Sequence, residues 1–190
     1  MHDGYSWRRP DGTSITIRTL PGSGENGLDR QDASPTGYYT VKYFDPTSDA
    51  NLNSGLNLML LRYADVLLMQ AEAKNELGQL TSAEWDRTIG ALRRRAGFTA
   101  PTALSFPGGS QADLRTVVRR ERRTELAMEG LRIFDIRRWR TAETVLNRPA
   151  TGLGRVQVDQ RTFNPSRHYL WPVPQRERDL NPNLSQNPGW

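Results

Sequence analysis

Apolar residues recur at three- and four-residue spacing over two long stretches of the chain and alternate with polar ones only over short pieces. From Leu56 to Leu77, residues Leu60, Ala64, Leu67, Leu68, Ala71 and Leu77 share a broad apolar face, which predicts a long helix. The small residues Ala64, Ala71 and Ala73 would let a neighbouring helix approach closely. Gly78 stands where a C-terminal cap belongs. Thr81, with Glu84 three residues on, reads as a capping box that opens a second helix through about Ala96, closed by Gly97. Two helices joined by so short a turn form a helical hairpin.

The second apolar stretch runs from Asp113 to Trp139. Leu114, Val117, Val118, Leu126, Ile133, Phe134, Ile136 and Trp139 form its seam, and Ser110 with Asp113 marks its start. Gly130 predicts a break, after which a second helix resumes and continues to about Leu146. Between the two stretches, Thr99 to Gly109 reads as a Pro/Gly loop. Ser14 to Leu20 alternates like a short strand, and Val156 to Val158 suggests a weak one. Pro172, Pro174, Pro182 and Pro188 exclude a long helix in the tail. The tail is expected to run extended, with Leu170, Trp171, Val173 and Leu184 pinned into grooves and Asn181, Asn183 and Asn187 forming turns. Trp171 and Trp190 read as packing anchors.

Charge changes this picture along the second stretch. Glu121, Glu125 and Glu129 fall every four residues, so they line one helical face and repel one another. Arg119, Arg120, Arg122, Arg123, Arg132, Arg137 and Arg138 surround them, and arginine pairs with carboxylates in a fixed bidentate geometry. A structural ion-pair lattice comprising Glu121, Arg122, Glu125, Glu129, Arg132, Arg137 and Arg138 is therefore expected. A catalytic carboxylate pair is the alternative. That chemistry needs two environments that push pKa values apart, whereas one arginine shell treats all the carboxylates alike.

The 190 residues suffice for one domain with a sizeable core, at a formal charge of +5 and a pI near 10. The basic runs lie within amphipathic helices, one of them interleaved with acids, which argues against a nucleic-acid partner. Cysteine is absent, and with it disulfides, thiol catalysis and cysteine-type zinc sites. The two histidines, His2 and His168, are too scattered for a metal site, so none is expected. Gly22, Gly24 and Gly27 match a dinucleotide fingerprint formally, but the Pro-broken stretch after them leaves no room for its helix, and no cofactor is expected. No apolar run reaches eighteen residues, and the opening MHDGYSWRRPDG does not read as a signal peptide. Tyr38, Tyr39, Tyr43 and Phe44 cluster near Pro35 and Pro46, and Tyr5 and Trp7 sit in another polar loop; in both places aromatic rings either plug the edge of a core or present faces for stacking on sugars.

The stretch RRERRTELAMEGLRIFDIRRW resembles the signature of the SusD/RagB family of cell-surface glycan-binding lipoproteins. LMLLRYADVLLMQAEAKNELGQL is similar to that family's tetratricopeptide-like helix, and YLWPVPQRERDLNPNLSQNPGW to its C-terminal tail. The resemblance covers most of Leu56 to Trp190. It implies an all-α fold of tetratricopeptide-like helical hairpins with long irregular loops and an extended tail. Residues 1–55 would be a loop-rich segment and residues 56–190 the family's C-terminal helical domain. It also implies an oligosaccharide-binding subunit without catalysis that delivers its ligand to a TonB-dependent, SusC-like transporter. The location implied is the extracellular face of the outer membrane, through a lipid anchor expected outside this chain. Family members are longer, so the chain is expected to be the C-terminal part of a longer protein. Trp7, Tyr38 and Tyr39 are the candidate ligand-binding residues. A helical-repeat scaffold that binds only protein is the competing reading, and a glycosidase built on carboxylates alone a third.

Overall fold

The computed structural model of the chain describes residues 5–8, 12–17, 34, 36, 40, 42, 43, 45, 53–152 and 156–190. Gly22, Gly24, Gly27 and residues 18–20 of the expected strand lie outside them. The chain is mostly helical with little strand, an arrangement of tetratricopeptide-like helical hairpins. It divides into two compact units, Leu58–Ile133 and a second made of Met1–Asn57 with Phe134–Trp190.

Leu58–Ile133 holds α1 (Tyr63–Glu76), α2 (Ser82–Trp85), a π-helical segment (Asp86–Gly90), α3 (Ala91–Arg95), α4 (Pro101–Leu104) and α5 (Gln111–Glu125). Its core joins Leu67, Leu68 and Ala71 of α1 to Trp85, Ile89 and Leu92 of the second helical run and to Leu114 and Val118 of α5. Burying a side chain such as Leu68 contributes roughly 1.5–3 kcal/mol. Trp85 is the largest buried side chain. Its indole N–H donates to the Leu104 carbonyl at 2.8 Å, so its one polar atom is satisfied. Gly78 and Gly97 both have φ near the left-handed region, +68° and +89°. The amide directly after each glycine, Gln79 beyond α1 and Phe98 beyond α3, bonds back to the carbonyl of Lys74 or Arg93, the closure that glycine permits. Thr81 Oγ1 accepts from the Glu84 amide and opens α2.

α1 begins at Tyr63 and not at Leu56. Arg62 is extended at φ −125° and ψ 146°, and Leu56 to Leu61 lie outside any helix, with Leu60 88% exposed. The extended backbone at Arg62 accompanies its guanidinium's reach to the carboxylates of Glu125 and Glu129. Leu77 is likewise exposed, as the C-cap of α1, and not part of the buried face. One turn of helix, α4, interrupts the expected loop from Thr99 to Gly109, begun by a proline at its first position.

In the second unit β1 (Tyr5–Arg8) pairs antiparallel with β2 (Ser14–Ile17), Trp7 opposite Ile15. A separate pair joins β3 (Pro149–Thr151) to β4 (Gln157–Gln160), with a register shift between Ala150 and Thr151. α6 (Arg132–Arg138) crosses the division between the units. It does not continue to Leu146. Arg140 turns to φ +53°, the Thr141 amide closes back on Ile136, and α7 (Ala142–Leu146) starts afresh. An arginine here takes the place that glycine usually holds, so no sequence signal marks the break. Ile136, Ala142 and Phe163 form the small core of this unit, with Val145, Leu146 and Tyr169 against it. The tail is not extended throughout, because α8 (Gln175–Leu180) fits between Pro174 and Pro182. Leu170, Trp171 and Leu184 are exposed and not pinned, and Val173 is half-buried.

α5 starts with a complete capping box. Asp113 N–H donates to Ser110 Oγ at 3.2 Å, and Ser110 N–H donates to Asp113 Oδ2 at 3.1 Å. Ser110→Ala removes one half of it and is expected to cost about 1 kcal/mol in urea unfolding. An unchanged midpoint would show that the start of α5 is held by packing alone.

Candidate functional site

Glu121 and Glu125 share one face of α5, but Glu129 does not, because the helix ends at Glu125 and Glu129 lies in the turn that follows; all three are met by arginines from two other places in the same unit. Arg62, just before α1, places Nη1 2.9 Å from Glu125 and Nη2 2.6 Å from Glu129, with Nε donating to the second Glu129 oxygen at 3.0 Å. Arg95 of α3 reaches Glu125 at 2.8 Å. Arg93 of α3 meets Glu121 at 2.5 Å while its guanidinium lies 5.2 Å from the centre of the Trp85 ring. Arg122 of α5 points the other way, to Asp65 of α1 at 2.5 Å, and this pair is buried. The hydrogen bonds that Arg62 donates to Glu129 are the largest influence on its guanidinium and drive its pKa upward against the opposing effect of burial. Arg62, Arg93, Arg95 and Asp65 were not among the expected lattice residues. The run Arg93 to Arg95 was visible as a charged helix face, but its partner was not.

The remaining expected lattice residues lie elsewhere. Arg132 is half-buried at the start of α6. Arg137 donates to the His168 carbonyl at 2.6 Å and stacks 4.1 Å from the Trp171 ring centre. Arg138 pairs with the buried Asp135 at 3.0 Å and lies over Trp139. Of the candidate ligand-binding residues, Trp7 has its backbone in β1 and its side chain outside the described part, and Tyr38 and Tyr39 lie outside it altogether.

The second unit carries an aromatic cluster that sequence patterning did not assemble. Phe163 packs edge-on against Tyr169 at 4.9 Å and against His168 at 5.5 Å. The Tyr169 hydroxyl donates to Glu143, and Arg140 lies 4.4 Å from the Tyr169 ring centre. Arg167 lies 4.0 Å from the centre of Trp190, whose indole N–H is shared between the carbonyls of Arg167 and Leu170. In the first unit, a surface cavity of about 440 Å3, mostly apolar, opens between Met59, Leu61, Arg62, Leu67, Leu92 and Arg95. Among the described residues no cluster of three or more His, Asp or Glu could hold a metal ion, and no helix is long and apolar enough to cross a membrane.

Glu125 carries two arginines and is largely buried. Glu125→Ala leaves Arg62 with Glu129 alone and releases the exposed Arg95, and is expected to cost about 1–2 kcal/mol. A melting temperature equal to that of the unaltered chain would show that solvent replaces the carboxylate. Tyr169 gives a second test. Burial, then the bond to Glu143, raises its phenol above the ordinary tyrosine range. The fold therefore favours the neutral phenol. Its contribution to stability is complete below the ordinary tyrosine pKa and is lost as pH rises through the folded-state value. In an alkaline ultraviolet titration, Tyr169→Phe should remove the last-ionising component, and loss of an earlier one would contradict this environment.

The model of the SusD family matches residues 1–190. SusD-like protein P2 of Formosa agariphila is 36% identical over 160 residues, a match covering 80% of this chain and 30% of that protein. SusD-like protein P38 of the same organism is 29% identical over 165 residues, covering 85% of this chain and 29% of its own length. The crystal structure of a SusD-like protein from Bacteroides fragilis superposes with a TM-score of 0.79 at 28% identity, covering 99% of this chain and 37% of that one. A SusD homologue from Bacteroides thetaiotaomicron superposes with a TM-score of 0.55 at 33% identity, over 68% of this chain. The chain thus spans roughly a third of the length of these relatives. With the family model matched from the first residue to the last, the chain belongs to the SusD family.

Proposed function

We propose that the chain is part of a cell-surface subunit that binds oligosaccharide and delivers it to a TonB-dependent, SusC-like transporter, at the extracellular face of the outer membrane. The observation that carries this reading is the SusD family match over residues 1–190. Binding proceeds without catalysis. Glu121, Glu125 and Glu129, the carboxylates regular enough in spacing to suggest acid/base chemistry, are each engaged by arginine, as suits structural groups. Residues 56–190 form the helical domain in this reading, and the loop-rich residues 1–55 supply Trp7, Tyr38 and Tyr39 as stacking faces for the sugar. Glu121, Arg122, Glu125, Glu129, Arg132, Arg137 and Arg138 serve the architecture.

One observation favours a protein-only scaffold as the second reading. Leu58, Met59, Leu60 and Leu61, and Tyr63, Val66 and Met69 of α1, are all exposed within one unit. Large exposed apolar patches mark interaction surfaces. Capture of the transporter combined with no binding in a broad glycan screen would favour that reading.

Affinity electrophoresis through gels containing oligosaccharide-rich polymers tests the first reading. Retardation of the chain is expected, and its reduction on replacing Trp7, Tyr38 and Tyr39 by alanine. Unchanged mobility of the triple variant would remove those three residues from the site, and reducing-sugar release above background would overturn the non-catalytic assignment.

A further inference from the structure

Five consecutive residues, Arg167 to Trp171, gather a cluster that neither the ion-pair lattice nor the small core accounts for. Three guanidinium–aromatic stacks are built on this segment: Arg137 on Trp171 at 4.1 Å, Arg140 on Tyr169 at 4.4 Å and Arg167 on Trp190 at 4.0 Å. The backbone of the same segment ties them together. The His168 carbonyl accepts from Arg137, and the Arg167 and Leu170 carbonyls accept from the Trp190 indole.

Three features mark this cluster as more than packing. First, Trp171 is 64% exposed and Trp190 39%, so large parts of both rings face solvent. A tryptophan serving only as an anchor would be covered. Second, the charge is unbalanced. Phe134 to Trp190 contains nine arginines against five acidic side chains. Arg137 and Arg167 make no salt bridge among the described residues, and Glu143, which feels the charge of Arg140, bonds to the Tyr169 hydroxyl. Third, Arg140 sits at φ +53°, a conformation an arginine keeps only when its surroundings impose it. Strain of this kind gathers at functional positions.

We propose that this surface binds an acidic sugar within a polysaccharide, a uronic acid or a sulfate-ester unit. The proposal rests on the glycan-binding reading and narrows its substrate class. The apolar C–H face of the sugar lies on the open part of Trp171, and the anionic substituent accepts hydrogen bonds from the guanidiniums around Arg167 to Trp171. Arginine suits both carboxylate and sulfate because its planar fork donates to two oxygens at once. Stacking keeps each fork oriented and lightly hydrated, so less freedom is lost on binding. A purely acidic peptide would use the charge but leave the exposed tryptophan faces unused, which favours the sugar.

The test is affinity electrophoresis of the 190-residue chain through polygalacturonate, a sulfated galactan and a neutral β-glucan, with poly-glutamate as soluble competitor and salt varied. The anionic polymers are expected to bind about ten-fold more tightly than the neutral one. The two anionic gels distinguish carboxylate from sulfate as the preferred group. The double variant Arg140→Gly, Arg167→Ala should abolish that preference. Glycine adopts the backbone at position 140 without strain, so the fold is kept, as an unchanged melting curve would confirm. Trp171→Ala, which alters no charge, should weaken binding to the anionic polymers severalfold. An Arg94→Ala control in the other unit should leave it unchanged. Equal binding of neutral and anionic glycans would overturn this inference while leaving the glycan-binding reading intact. Displacement by poly-glutamate at equal charge, with no effect of Trp171→Ala, would replace the sugar by an acidic polypeptide. Absence of retardation by any polysaccharide would overturn both readings.

Discussion

Glu121 and Glu125 stand one above the other on a single face of α5, where like charges at this spacing destabilise a helix, and Glu129 adds a third carboxylate in the turn just beyond the helix end. Cations must come to them, and they come from other elements: Arg93 and Arg95 of α3 and Arg62 ahead of α1. The electrostatic requirement of one helix thus becomes the register of the others. Arg62 shows the coupling most directly. Its forked contact with Glu129 and its bond to Glu125 accompany an extended backbone where a helix was expected, directly before α1 begins at Tyr63. Arg122 and Asp65 repeat the logic from the opposite side of α5, joining it to α1 through a buried pair. Such pairs add little net stability compared with apolar substitutes, but breaking one leaves a buried charge, so they penalise wrong helix arrangements more than they reward the right one.

The second unit meets a different constraint. Among its described residues much of Asn147 to Trp190 is irregular, and the amides and carbonyls there need partners that a helix or sheet would have supplied. Side-chain amides take that part. Asn147 both accepts from the Phe163 amide and donates to the Phe163 carbonyl. Gln186 does the same for Val173. Stacked arginines complete the support of the aromatic residues. The result is a surface in which guanidinium and indole planes are held in fixed orientations without being buried. That combination suits recognition of a ligand with an apolar face and a charged edge.

Much of the helical architecture was legible because its signals are local. The capping box at Ser110, the cap at Thr81, and the glycines 78 and 97 mark helix ends through the backbone chemistry of a few neighbouring residues. The spacing of Glu121 and Glu125 announced that arginines would gather on one face of α5, because residues four apart on a helix share a face, whereas Glu129 meets Arg62 from the turn after α5 and not from that face. The family signature was legible for the same reason, lying within continuous stretches of sequence.

What only the tertiary structure decided is which distant groups meet. Nothing in the run Leu56 to Leu61 distinguishes it locally from the start of a helix. Its extended course accompanies the contact of Arg62 with residues more than sixty positions away. The break at Arg140 lacks the usual glycine and accompanies the seating of its guanidinium over Tyr169. Trp171 and Trp190 read as anchors by composition, yet they remain exposed because arginine planes, not apolar side chains, cover part of each ring. The amino-acid sequence by itself determined the helices, their caps and the charge that had to be neutralised, since these follow from neighbours within a turn or two. The partner of each charge and the exposure of each ring depended on long-range packing, because Coulomb attraction and stacking act between whichever groups the folded chain brings within a few ångströms.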